Sequence, residues 1–158
     1  MRSVLFGTPT SSGPVPSADS CYDPKSLSHV LSGTYPTESD MESEMNAVLA
    51  IFEKYNVQVH RPTIIENCNQ IFARDISFVI EDKIIIANIL PDRKREVEAT
   101  EYVWQTVDKS NRIILPEECH VEGGDVMPWN DYIFIGTYTA ENYSHQITAR
   151  TNKIAVEY

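Results

Sequence analysis

The stretch Asp75-Ile-Ser-Phe-Val-Ile-Glu-Asp-Lys-Ile-Ile-Ile-Ala-Asn88 reads as a hairpin. Ile76, Phe78 and Ile80 fall on one face of a first strand, Glu81-Asp-Lys83 makes the turn, and Ile84 to Ala87 returns. A charged segment from Asp92 to about Gln105 follows, and Val97, Tyr102, Val103 and Trp104 give it a buried side, which predicts a helix. Arg112 to Leu115 is another short strand, stopped by Pro116. The order then recurs. Glu122-Gly-Gly-Asp-Val-Met-Pro-Trp-Asn-Asp-Tyr-Ile-Phe-Ile-Gly136 is again an acidic lead-in, a strand, a turn at Trp129 to Asp131 and an apolar strand. The hairpins stand about 47 residues apart with a helix and a strand between them, the spacing of a supersecondary repeat. The expected architecture is α/β, in stacked strand-strand-helix-strand modules.

Upstream, Ser39-Asp-Met-Glu42 has the form of a capping box, and Met41, Met45, Val48, Leu49, Phe52 and Tyr55 recur at helical spacing. Asn56 is placed to end that helix, and Val57 to Val59 alternates as a strand closed by Pro62. The first 36 residues differ from the rest, holding five of the nine prolines and eight serines. A strand is expected at Arg2 to Gly7, followed by an irregular Pro/Ser-rich segment over residues 8–36, either a lid or disordered. Downstream, Lys153 to Tyr158 reads as the start of another strand. The 158 residues make one domain, read as a partial one because the repeat breaks off at its end.

Thirteen Lys and Arg against twenty-three Asp and Glu give a net charge of −10. That balance argues against nucleic acid and anionic membranes, which reward a basic face, and sits comfortably with a cationic substrate. No apolar run approaches the roughly 18 residues of a membrane span. Val4-Leu5-Phe6 is too short an apolar core for a signal peptide. Three cysteines, Cys21, Cys68 and Cys119, are an odd and sparse set, as expected of reduced thiols in a cytoplasm. His29, His60, His120 and His145 show no paired metal spacing, so neither metal nor cofactor is expected.

Two carboxylate clusters sit at matching places in the repeat: Arg74-Asp75, and Glu122-Gly-Gly-Asp125. Each precedes an apolar strand and so lies near one end of a sheet, where a rigid scaffold often presents binding residues. Two carboxylates facing one another suit a planar cation, because a guanidinium offers five coplanar N–H donors. Such a pair must share a cation or a proton when no ligand is bound, and Arg74 and Arg150 are the candidate cations. The plainer alternative is that these are turn residues and exposed caps, with Arg74-Asp75 a local ion pair.

Phe72-Ala-Arg-Asp-Ile-Ser-Phe-Val-Ile80 and His120-Val-Glu-Gly-Gly-Asp-Val126 resemble the amidinotransferase and guanidine-hydrolase superfamily, the penteins. The resemblance continues through Arg93-Lys-Arg-Glu-Val-Glu98 to Ala149-Arg-Thr-Asn152 and covers most of the chain from about residue 37. It implies a pseudo-symmetric propeller of strand-strand-helix-strand modules. It further implies that Asp75 and Glu122 hold the substrate guanidinium, with Glu122 also supporting a catalytic histidine. Asn69, Phe72 and Arg150 match positions lining the substrate site, and Arg93 or Arg95 matches an arginine for the substrate carboxylate, with Arg95 the chosen register. Arg74 and Asp125 are supporting residues, Asp125 bracing the Gly-Gly turn.

In that superfamily a cysteine thiolate attacks the guanidinium carbon and a histidine moves the proton, splitting one hard substitution into two. Both groups come from the second half of a chain roughly twice as long. Here Cys119 and His120 are adjacent, so in an extended segment they point to opposite faces, and Cys68 has no histidine at a telling spacing. The expectation is therefore the amino-terminal portion of a pentein enzyme, inactive alone, with the nucleophile and the acid/base histidine outside this chain. The wording of the two motifs favours an amidinotransferase acting on a guanidino compound such as arginine. An arginine or agmatine deiminase, or another guanidine hydrolase, is the alternative, and a non-catalytic binding or regulatory module is the reading from another class. Expected partners are a small cationic guanidino substrate and either a second copy of the chain or a complementing second half, because an incomplete propeller exposes a strand edge.

Overall fold

Strand β1 (Ser3–Leu5) pairs in parallel with β2 (Gln58–His60), Val4 lying beside Val59. The structure is a computed structural model and describes residues 2–21, 24–138 and 151–158. Between β1 and β2 lie helices α1 (Pro24–Ser32) and α2 (Glu38–Lys54). Phe52 of α2 meets Phe6 edge to face at 5.4 Å and so seats α2 against the end of β1.

Two expectations for this region are corrected. Segment 8–36 is not irregular throughout, since α1 occupies nine residues of it. Pro24 opens that helix with its preset φ, Leu27, Val30 and Leu31 follow at helical spacing, and Gly33 closes it at φ +67°. The capping box is built by Thr37 and Asp40 rather than Ser39 and Glu42: Thr37 Oγ1 accepts from Asp40 N at 3.3 Å, and Asp40 Oδ2 accepts from Thr37 N at 3.0 Å. Glu42 and Glu38 instead turn to the amino-terminal loop, accepting from Thr10 Oγ1 at 3.1 Å and from Ser11 N at 3.0 Å. At the far end Asn56 takes φ +53° and ends α2 as expected.

The first repeat forms a three-stranded sheet in the order β3-β4-β5. Strand β3 (Ser77–Ile80) runs antiparallel to β4 (Lys83–Ile86), which runs parallel to β5 (Arg112–Ile114). A parallel return of this kind needs a crossover of a dozen or more residues, and the charged segment supplies it. That crossover is not one helix. It comprises a 3-10 turn at Pro91–Arg93, α4 (Lys94–Glu98) and α5 (Glu101–Trp104), counting α3 (Ala73–Ile76) as the short helix ahead of β3. The break falls at Thr100, fully buried, whose hydroxyl donates to Val97 O at 2.9 Å. Val103 and Trp104 are buried as expected, whereas Tyr102 is exposed and donates its hydroxyl to Arg61 O at 2.5 Å.

The second repeat opens with a 3-10 turn at Gly123–Asp125 and continues as a hairpin of β6 (Val126–Trp129) and β7 (Tyr132–Ile135). Its turn matches the first: Glu81 and Asn130, each directly after a first strand, take φ +54° and +51°. Thr137 then bridges in parallel to Thr151. The expected strand at Lys153 to Tyr158 is a short helix, α6 (Lys153–Glu157). Asn152 caps it by accepting from Ala155 N at 2.9 Å, and Lys153 pairs with Glu157 one turn on. Ala87, Val121 and Val126 form a buried cluster onto which Phe78, Ile80, Ile89, Leu115 and Ala155 pack. This core joins the two repeats and fixes the beginnings of β3 and β6 side by side. Among the described residues no helix is long and apolar enough to cross a membrane.

Candidate guanidinium site

Asp75 does not belong to the strand it precedes. It lies in α3, a single turn whose Asp75 N donates to Phe72 O at 3.0 Å. The Gly123–Asp125 turn holds the equivalent place ahead of β6, and the two turns pack directly on one another. Glycine is required there by space. A Cβ at Gly123 would collide with the backbone carbonyl of Arg74, and one at Gly124 would stand 2.6 Å from Asp75 Oδ1. The Gly-Gly pair thus lets the backbone that carries Glu122 approach the backbone that carries Asp75.

The two carboxylates meet on one nitrogen. Arg93 Nη1 donates to Asp75 Oδ2 at 3.1 Å and to Glu122 Oε1 at 3.3 Å. The rest of the same guanidinium is taken by Glu96, whose Oε1 accepts from Nε and Oε2 from Nη2, both at 2.8 Å. Arg93 side-chain exposure is 11%, against 18% for Asp75, 14% for Glu122 and 8% for Glu96. Such partial burial makes these charges worth more to one another than they are at a surface. Burial alone would lower the Arg93 pKa, but the hydrogen bonds and charges of Glu96 and Asp75 outweigh it and hold the guanidinium above its ordinary range. Three carboxylates around one guanidinium leave formal negative charge uncompensated within this group of four.

The cation between the carboxylates was expected to be Arg74 or Arg150, and it is Arg93. Arg74 turns the other way and donates from Nη2 to Val126 O at 3.3 Å, tying α3 to β6. Arg150 lies outside the described residues. Arg95, the chosen register for the substrate-carboxylate arginine, is exposed on α4, while Arg93 sits on the cluster. Asn69 is exposed and folds its Oδ1 back to accept from Ile71 N at 3.1 Å. Phe72, 56% exposed, directly precedes α3. Asp125 is buried and accepts from Thr151 N at 3.1 Å and from Thr151 Oγ1 at 3.2 Å. Thr151 Oγ1 in turn accepts from Glu122 N at 3.4 Å, so Asp125 supports the Glu122 backbone through a buried threonine.

Glu96 and Thr151 carry no role in the sequence reading. The Arg93-to-Glu96 spacing was a visible signal for the first, since residues three apart on a helix are neighbours. Thr151 falls in the Ala149-Arg-Thr-Asn152 stretch that carries the resemblance, but no role is read for it there. The Cys68 and Cys119 thiols are not activated. Burial pushes the Cys68 thiol up, and Glu96 adds to this against the weaker opposing pull of Arg95 and Arg93. Burial likewise raises Cys119, with Glu118 adding to it. Among the described residues no group of three or more His, Cys, Asp or Glu side chains could hold a metal ion.

The arginine deiminase family model matches residues 10–140, a span that includes both carboxylates, the Gly-Gly turn and Arg93. The chain belongs to the arginine deiminase family. Among solved structures it is similar to dimethylarginine dimethylaminohydrolase from Pseudomonas aeruginosa, a cysteine-to-serine mutant complexed with citrulline. That match has a TM-score of 0.72 at 20% identity, over 99% of this chain and 54% of the other. It is also similar to an amidinotransferase of the saxitoxin biosynthetic pathway from Microseira wollei, with a TM-score of 0.64 at 15% identity, over 99% of this chain and 54% of that one. A dimethylarginine dimethylaminohydrolase adduct with S-methyl-L-thiocitrulline gives a TM-score of 0.71 at 20% identity and the same coverage. No curated protein sequence matches. This member of the family therefore has the pentein fold, and it spans about half the length of the solved relatives it matches.

Proposed function

We propose that the complete protein modifies a guanidino group and that this chain supplies the carboxylate half of its site. The observation that carries the reading is Arg93 itself: Asp75 and Glu122, from different modules, converge on one guanidinium nitrogen. Side chains that bind one guanidinium have the spacing and charge to bind another. The wording of the motifs favours amidino transfer from a donor such as arginine. A second reading, hydrolysis by a deiminase-type reaction, is favoured by the family model that matches. The carboxylates serve either equally, by keeping the substrate cationic and oriented. What divides them is whether water or an amine reaches the covalent intermediate.

For the chain alone we propose binding without turnover. The Cys68 and Cys119 thiols are held away from the thiolate form. A complementing partner, either a second half or a second copy, would cover the β6–β7 hairpin, where Met127, Trp129, Ile133 and Phe134 are all exposed. Isothermal titration with arginine and agmatine tests the site. Binding is expected, and Asp75→Asn and Glu122→Gln should each weaken it about tenfold or more, the scale of one charge-assisted hydrogen bond. No binding by the folded wild-type chain overturns the reading. Arginine carrying a labelled guanidino carbon, given to the complete protein with and without glycine, separates a transferred label from citrulline and ammonia.

A further inference from the structure

We infer that Arg93 is an internal guanidinium that a ligand must displace from Asp75 and Glu122. The inference rests on the guanidino reading of Asp75 and Glu122. Nη1 of Arg93 spends its two N–H groups on those carboxylates, at 3.1 and 3.3 Å, which leaves an incoming cation competing for oxygens already in use. The opposite edge of the same guanidinium is held differently. Nε and Nη2 form two short bonds to Glu96, from a residue three positions away on the same turn of chain. Arg93 is therefore tethered at one edge by a local, bidentate partner and engaged at the other by two longer single bonds. The longer bonds are the weaker ones and break first.

Displacement does not strand the arginine. With Nη1 released, Glu96 still neutralises it in a bidentate pair, so exchange requires only a small swing about the Glu96 tether. The incoming cation has to match what it replaces. A guanidinium donates N–H groups to both carboxylates in one plane, whereas an ammonium is a compact, strongly hydrated point charge without that fork. Arg93 thereby sets a cost that every ligand of the two carboxylates meets, and the preference for a planar donor comes from the carboxylate pair itself. In this role Arg93 is an internal competitor, and Glu96 is what makes it displaceable.

The test is titration of the chain with methylguanidinium and with methylammonium, in the wild type and in Arg93→Gln. Removing the internal competitor should tighten methylguanidinium and methylammonium binding by a similar factor of about tenfold, leaving the preference between them unchanged. Arg93→Gln that leaves methylguanidinium binding unchanged or weaker overturns the displacement while the guanidino reading stands. Absence of methylguanidinium binding to both folded proteins overturns the guanidino reading as well. A wild-type measurement guards against misfolding of the variant. In protein labelled with nitrogen-15 arginine, saturating methylguanidinium should shift the Arg93 Nη resonances and leave its Nε–H resonance in place. Saturation without any Nη shift overturns the proposal.

Discussion

Gly124 faces Asp75 so closely that a Cβ on the glycine would stand 2.6 Å from the aspartate Oδ1. The neighbouring Gly123 meets the backbone carbonyl of Arg74 instead. The two glycines therefore protect different things, because a carboxylate can rotate away and a peptide plane within a packed turn cannot. Gly123→Ala should cost about 1–3 kcal/mol of stability, the usual range for overpacking. Gly124→Ala should cost less in a urea melt yet weaken arginine binding, since it turns Asp75 off Arg93. Equal stability losses with unchanged binding in both variants would contradict this division.

Asp125 reaches Glu122 through Thr151, and both are buried. Thr151→Val keeps the shape and removes the hydroxyl between them. It should lower stability by about 1–3 kcal/mol, because a buried acceptor on Asp125 loses a donor. Arginine affinity should fall only slightly, because the hydroxyl touches the Glu122 backbone and not its carboxylate. A loss of binding as large as that of Glu122→Gln would mean that Thr151 positions the carboxylate directly.

At the start of α2, Asp40 is held below the ordinary carboxylate range, first by the Thr37 hydroxyl and then by the Thr37 N–H. A depressed folded-state pKa contributes stability above the unfolded value of about 3.9, which is lost as pH falls through the folded value. Asp40→Ala should therefore melt at a lower temperature than wild type at pH 7, and the gap should narrow on acidification to about pH 3. A gap of the same size at both pH values would show that the charge plays no part in the cap.

The repeat was legible because it is written in local patterns: alternating apolar residues, polar turns and a charged crossover between them. Both hairpins, β5 and the carboxylate positions follow from such patterns. The misread elements turned on signals carried by a single residue. Pro24 and Gly33 bracket α1 within a segment dominated by serine and proline. Asn152 converts a strand-like Lys153–Glu157 into a helix by capping it. Thr37 competes with Ser39 for the same cap, and the two are separable only by what Glu38 and Glu42 bind elsewhere. The choice between Arg93 and Arg95 has the same character. Two residues apart on a helix, they point to different sides, and the 3-10 turn at Pro91–Arg93 decides which faces Asp75. Three-dimensional closure also hid Thr151, which meets Asp125 across a gap of 26 residues.

Cys68 decides whether this chain can supply its own nucleophile. The thiol lies within electrostatic reach of Glu96, Arg95 and Arg93. That reach makes it the thiol to test as a nucleophile. Its electrostatics run the other way, since burial comes first among the causes that push the thiol up and Glu96 adds to it. A thiol raised in this way has less thiolate at neutral pH than a free cysteine, and the thiolate is the reactive species. In a Cys21→Ser, Cys119→Ser background, the rate of iodoacetamide alkylation should rise with pH to a midpoint above the free-thiol value of about 8.5. Incubation with arginine should leave the mass of the protein unchanged, with no amidino adduct on Cys68. A midpoint below neutrality, or an adduct removed by Cys68→Ala, would make Cys68 a nucleophile and the chain a self-sufficient enzyme.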